Sequence, residues 1–228
     1  MKRFWITLLL SAALFAQVAE KANEGYKTAA DRAMIARGLA DAHREETLRP
    51  RDLVEAMGLR DRMKVGDVGT GVGFMLPYLS HAVGPAGVVY AEDIAQDFLD
   101  RAQLRARTIG LTNIKFILGT ELDPKLPGGN LDAVLVLDTY HHFNYPGAML
   151  RNIHDSLVSD GRLFIIDYYR RPNAMGPGTG DRALEHIRLD LDDVIKEVEE
   201  SGFHLISKRD WIPGSQYIIV FDQAKEQP

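Results

Sequence analysis

Short apolar runs alternate along this chain with longer stretches in which apolar positions recur at helical spacing. Strands are predicted at Val65 and its neighbours, Val88 to Ala91, Ile114 to Leu118, Ala133 to Leu137, Arg162 to Ile166, Leu205 to Arg209 and Tyr217 to Phe221. Helices are predicted near Gly73 to Ala82, Ala95 to Ile109, Pro146 to Leu157 and Asp190 to Ser201. This alternation implies an α/β fold with a doubly wound, mostly parallel seven-stranded sheet covered by helices on both faces. Only the turn WIPGSQ separates the last two strands, so they should form an antiparallel hairpin at one edge. Upstream, Glu20 to Met57 reads as largely helical, interrupted at Gly38 and Pro50, and placed to cover whatever the sheet binds. The segment Asn173 to Asp181 is rich in Gly and Pro and is a candidate substrate-side loop.

Composition narrows the picture without changing it. The 228 residues are 46% hydrophobic, enough for one sizeable core, and no repeat or linker divides them. A formal net charge of -5 gives no field that would draw nucleic acid, and the arginines between Arg32 and Arg62 read as a solvated helical face. The absence of cysteine excludes disulfides and thiol nucleophiles. At the start, Lys2 and Arg3 precede an apolar run from Phe4 to Phe15 with small residues at Ala13 and Ala16, the pattern of a secretory signal peptide. The expected organisation is a signal peptide over 1–16, an N-terminal helical segment over 17–58 and a catalytic domain over 59–228. That start points to export to the periplasm, or to transient membrane association through residues 4–15, and to a cytoplasmic protein if the segment is not a functional signal.

The strand at Val65 runs into VGDVGTGVGF, with Asp67 followed by Gly69, Gly71 and Gly73. Glycines at alternate positions let the backbone turn sharply and lie against a ligand, while the next helix aims its N-terminal amides at the same space. The dinucleotide pattern G-x-G-x-x-G is missed, because the third glycine comes one residue early and position 74 is Phe. A phosphate-binding P-loop is missed too, since Phe74 and Met75 stand where Lys and Ser or Thr are needed. About twenty residues on, the next strand ends in Glu92 and Asp93, where a carboxylate can accept both hydroxyls of a ribose across the crevice shared by neighbouring strand ends.

Taken in order, VGDVGTGVGF, YAEDIA, LDAVLVLDTYHHF and SDGRLFIIDYY resemble the motifs of class I S-adenosylmethionine (SAM) dependent methyltransferases, over about Leu53 to Phe221. LDTYHHF and the late ESGFHLISKRDW with YIIVF are similar to small bacterial methyltransferases of the ubiquinone/menaquinone type. The resemblance implies a Rossmann-like sheet with a C-terminal hairpin and S-adenosyl-L-methionine as cofactor. It implies that Asp67 organises the methionine end over a floor of Gly69, Thr70, Gly71 and Gly73, that Asp93 takes the ribose while Glu92 points to the opposite face, and that Ile94 lies against the adenine. The family commonly places an acid directly after the glycine of the third strand end; here Thr120 stands there and Glu121 follows, with Glu121 or Asp123 as substitutes.

The fourth strand runs into Asp138, Thr139, Tyr140, His141, His142 and Phe143, which should sit beside the sulfonium. Methyl transfer is a displacement, so positioning supplies much of its rate, and one histidine can remove a proton at neutral pH. His141 is preferred, and Tyr140 shapes the pocket. Asp138 and Asp167 end neighbouring strands, as in catechol-type methyltransferases that hold Mg²⁺, but Tyr168 replaces the amide ligand of that set, and the adjacent histidines show no third zinc ligand, so no metal is expected. The expected function is methyl transfer from SAM to a small-molecule or lipid-like acceptor. The alternatives are a noncatalytic SAM-binding protein and an NAD(P)-dependent oxidoreductase, the latter disfavoured by the glycine spacing.

Overall fold

The computed structural model describes residues 17–224. The expected signal peptide therefore lies outside the described residues. The apolar runs become β1 (Lys64–Val68), β2 (Val88–Asp93), β3 (Ile114–Leu118), β4 (Leu131–Leu137), β5 (Leu157–Tyr168), β6 (Phe203–Ile212) and β7 (Gln216–Gln223), joined in one sheet of order β3-β2-β1-β4-β5-β7-β6. The first five strands pair in parallel, and β7 inserts antiparallel between β5 and β6. The helices are α1 (Ala29–Leu39), α2 (His43–Leu48), α3 (Pro50–Met57), α4 (Leu76–Val83), α5 (Gln96–Thr108), α6 (Pro146–Ser156), α7 (Arg182–His186) and α8 (Leu191–Glu199). Among the described residues no helix is long and apolar enough to cross a membrane.

Both faces of the sheet are buried, which is why its central strands are nearly continuous apolar runs. Along β4, Ala133, Leu135 and Leu137 face one core with Leu53, Leu76 and Leu79 of α3 and α4. Val134 and Val136 face the other, with Leu150 and Ile153 of α6 and Val194 and Val198 of α8. Strand order reverses at β1, whose neighbours are β2 and β4. A crevice therefore opens beyond the carboxyl ends of β1, β2 and β4, the usual ligand position in an open α/β sheet.

Several boundaries differ from expectation for local reasons. Helix α4 starts at Leu76, with Pro77 in its first turn, because residues 70–75 are used up in turns. Gly38 lies inside α1, which begins where the Thr28 hydroxyl accepts the Asp31 amide at 3.1 Å. The interruption falls instead near Ala40, and again at Arg49, whose φ of 48° separates α2 from Pro50. Strand β5 is longer than its apolar run because α6 leads straight into it, with a register irregularity between Leu131 and Ala133. The short helix α7, hidden behind the glycine-rich loop, was not expected.

Candidate active site

The turn after β1 is built for close approach. Gly69 has φ of 73°, and a Cβ there would lie 2.2 Å from Thr139 Cγ2, so no side chain fits. The turn folds onto the carboxylates at the strand ends. Asp67 accepts the Thr70 hydroxyl at 2.7 Å, Asp93 accepts the amides of Gly71 and Ala95 at 2.9 Å each, and Glu92 Oε2 accepts that of Gly69 at 3.3 Å. Glu92 Oε1 is buried with no partner. Burial, reinforced by Asp93, pushes Asp67 up to about 7. Burial also pushes Asp93 up to about 6 against the pull of its backbone donors, and holds Glu92 well above the usual carboxylate range, with Asp93 adding repulsion. Three buried carboxyl groups with unmet electrostatic demand form one wall.

The facing wall comes from the end of β4. Asp138 is held at φ of 52°, a left-handed conformation uncommon for a side-chain-bearing residue, and meets Arg44 of α2 at 3.3 Å as well as the Gln216 amide. Burial pushes Asp138 up to about 7 although Arg44 opposes it. The Arg44 guanidinium also lies 5.0 Å from the centre of the Phe74 ring. In the 3₁₀ turn Tyr140–His142, the His141 amide and Nδ1 contact the two Asp167 oxygens at 3.0 and 2.7 Å, while His142 Nδ1 lies 2.8 Å from Asn23 Oδ1. Burial, with His141 and His186 nearby, holds His142 well below the usual imidazole range.

Between the walls lies a cavity of about 510 Å³, within the range typical of small-molecule and cofactor sites. Asp67, Gly69, Thr70, Gly71, Asp93, Ile94, Glu121, Asp138 and His142 border it, together with Glu92, Arg44, Asn23 and Tyr26. Four sequence-selected residues do not. Gly73 serves helix packing, since a Cβ there would meet Leu76 at 2.8 Å and Ala102 at 3.1 Å. Thr120 caps its own turn, its hydroxyl accepting the Asp123 amide at 3.0 Å, so Glu121 takes the place at the cavity. Tyr140 is buried in the core and donates to Glu197. His141, the histidine preferred from sequence, is fixed by Asp167, and His142 rather than His141 borders the cavity. Glu92, expected to face away, turns into the cavity. Asp138 is engaged by Arg44 and Asp167 by His141. Glu92 had a signal in its place beside Asp93. Arg44, Asn23 and Tyr26 had none, because only the fold brings the N-terminal segment to the strand ends.

The residues present fit SAM. A cationic sulfonium and amine suit a wall of buried acids, the ribose hydroxyls suit Asp93, and the glycine turn leaves room for backbone contact. The family model described as a methyltransferase domain matches residues 66–165. The ubiquinone/menaquinone biosynthesis C-methyltransferase of Pseudomonas fluorescens (strain Pf0-1) is 26% identical over 123 residues, covering 54% of this chain and 48% of that protein. Nocamycin O-methyltransferase of Saccharothrix syringae is 34% identical over 146 residues, covering 61% and 52%. The chain thus spans about half the length of the curated relatives it matches. Among solved structures, a SAM dependent methyltransferase from Aquifex aeolicus superposes with a TM-score of 0.75 at 26% identity, covering 82% of this chain and 96% of that one. Motif order, strand order and these similarities agree: residues 66–165 match a methyltransferase domain, the sheet is that of class I SAM-dependent methyltransferases, and S-adenosyl-L-methionine is the cofactor they indicate.

Proposed function

We propose that this protein transfers a methyl group from SAM to a small or medium-sized acceptor, and that the acceptor enters beside Asp138 and His142. The observation that carries this reading is the cavity with buried acids on one wall and Asp138, Arg44 and His142 on the other. When bound, SAM supplies a methyl group on a sulfonium already primed to leave. Asp67, Thr70 and the Gly69 turn hold the methionine end, and Asp93 accepts the ribose hydroxyls. Glu121, steadied by the Asn144 amide at 2.9 Å, faces the adenine edge, with Ile94 against the ring. His142 is neutral at pH 7, so it brings no charge to the acceptor side of the cavity. Tyr26, Leu39, Phe74 and Phe143 give an acceptor apolar surface, which suits a lipid-like as well as an aromatic molecule. By name one of the two relatives is a C-methyltransferase and the other an O-methyltransferase, and either chemistry is compatible with positioning as the main source of rate.

Calorimetric titration with SAM and with its demethylated product, using NADH as control, tests the cofactor half of this reading. Saturable binding of both sulfur nucleosides and none of NADH is expected. Release of the demethylated product on adding acceptors from a phenol, thiol and quinol panel tests the other half. Binding without turnover on any acceptor class would favour a noncatalytic SAM-binding protein.

A further inference from the structure

We propose that His141, His142 and His186 form a binding site for one divalent transition-metal ion of the zinc type, with a position left open for the acceptor. The three residues come from distant parts of the chain: two from the turn after β4 and one from the last position of α7. One ring nitrogen from each lies within 4.8 Å of the other two. The ring centroids are 5.0 Å apart for His141 and His186, 5.3 Å for His142 and His186, and 4.1 Å for His141 and His142. In a tetrahedral three-histidine zinc centre, Zn–N bonds of about 2.1 Å and a ring radius of about 1.1 Å put centroids about 5 Å apart. Both distances to His186 already meet that value. The remaining pair must open by about 1 Å, and the nitrogens must close to about 3.4 Å.

The surroundings carry the second half of the argument. Metal-bound histidines characteristically give their other ring nitrogen to an oxygen acceptor, which fixes the tautomer and directs the lone pair at the metal. Here Asp167 Oδ1 lies 2.7 Å from His141 Nδ1, and Asn23 Oδ1 lies 2.8 Å from His142 Nδ1. Those contacts leave the Nε2 lone pairs for coordination. Among the described residues neither Nε2 atom, nor either nitrogen of His186, has a hydrogen-bond partner. Three imidazoles gathered at this spacing can make few hydrogen bonds among themselves, since each neutral ring has only one N–H to give. A cation satisfies all three, and the Asp167 carboxylate behind His141 offsets part of its charge. The helix that carries His186 is held in place by Arg170, which donates to the carbonyls of Ile187 at 3.0 Å and Leu184 at 2.9 Å.

Three protein ligands are the number used by zinc sites that keep a position for a reactant. His142 borders the cavity, so that position opens toward the acceptor. An acceptor hydroxyl or thiol bound there gives its proton to solvent while the metal holds the resulting anion, and no oxidant or reductant takes part. This role for the acceptor rests on the proposed methyl transfer; the metal site itself rests only on the imidazoles.

The full, untagged chain, stripped with chelator, would be titrated with cobalt(II). The expected result is the intense visible absorption of four- or five-coordinate cobalt at one equivalent, displaced by zinc. His186→Ala, on a short surface helix, should abolish that absorption, and Asn23→Ala should weaken cobalt binding tenfold to about a hundredfold. Only the faint spectrum of six-coordinate cobalt, or an intense one unchanged in His186→Ala, would overturn the proposal. SAM titration of the same stripped protein keeps the two readings apart. A cobalt site in a protein that fails to bind SAM leaves the metal site standing and defeats methyl transfer, and SAM binding without a cobalt site does the reverse.

Discussion

Acidification should expel SAM from this protein far more steeply than from a site built on ordinary carboxylates. Burial pushes Asp67 up to about 7 and Asp93 up to about 6, so the empty site holds protons that a cationic amine and ribose hydroxyl donors require it to lose. Each group lowers the apparent affinity by one plus ten raised to the difference between its pKa and the pH. Between pH 8 and pH 5 that factor is about a hundred for Asp67 and about ten for Asp93, so Kd should rise about a thousandfold, or about 4 kcal/mol. Titration of the cofactor's own amine near the upper limit acts in the opposite sense by no more than about threefold. Calorimetry across this range should show proton release on binding at pH 6. The stability of the unliganded fold runs the other way. Both folded-state values lie above the unfolded ones, so the contribution of these groups is fully present below about pH 4 and is lost as pH rises through about 6 to 7. The thermal shift produced by SAM should accordingly be larger at pH 8 than at pH 5. In Asp67→Asn the hundredfold factor should vanish and the tenfold one remain. A Kd that is flat from pH 8 to pH 5, or proton uptake on binding, would refute the reasoning.

Asp93→Ala should weaken SAM binding by about 2 kcal/mol, roughly thirtyfold, through loss of charge-assisted hydrogen bonds, read directly as Kd. Gly69→Ala places a methyl group 2.2 Å from Thr139 Cγ2 at a left-handed φ; a loss of about 3 kcal/mol or more is expected in urea unfolding, and an unmoved midpoint would show that the turn relaxes freely. Tyr140→Phe removes a buried hydroxyl that donates to Glu197, itself paired with Arg188, and should cost about 1–2 kcal/mol of stability with SAM affinity unchanged; a weaker Kd would place Tyr140 in the site after all. Arg32 grips both oxygens of Asp97 at 2.9 and 3.0 Å, tying α1 to α5. In Arg32→Ala the amides of α1 should exchange hydrogen faster while those of β4 do not change, whereas equal protection would mean that packing alone holds the segment.

The strand and helix order was legible because buried parallel strands must be apolar on both faces, and Val88 to Ala91 and Ala133 to Leu137 leave no other reading. The hairpin was legible too: Gly214, at φ of 76°, closes the turn that WIPGSQ advertises. The acids and glycines of the cofactor wall lie within one stretch of local sequence, so their spacing carried most of that wall. Gly73 packs against a helix instead of bordering the cavity, and a glycine needed by a helix neighbour and one needed by a ligand leave the same mark in a sequence. Thr120 and Tyr140 do not border the cavity, because a side chain one position along a turn points elsewhere, and only the backbone decides where. The other wall was largely illegible. Arg44 reaches Asp138 across 94 positions, and His186 reaches His141 only through a glycine-rich loop whose path no local pattern specifies.

The insertion of β7 between β5 and β6 has a consequence for how the chain is made. Strands β1 to β5 can zip together as they emerge during synthesis, each beside a predecessor already in place. Strand β6 cannot join them, because its only partner in the sheet is β7. Until residue 223 has cleared the ribosome, the β5 edge, with Leu163, Phe164, Ile165 and Ile166, stays open, and β6 waits without a neighbour. Closing the sheet thus waits for β7, the strand that pairs with both β5 and β6. A stall or truncation shortly before that point would leave a nearly finished protein displaying its stickiest edge.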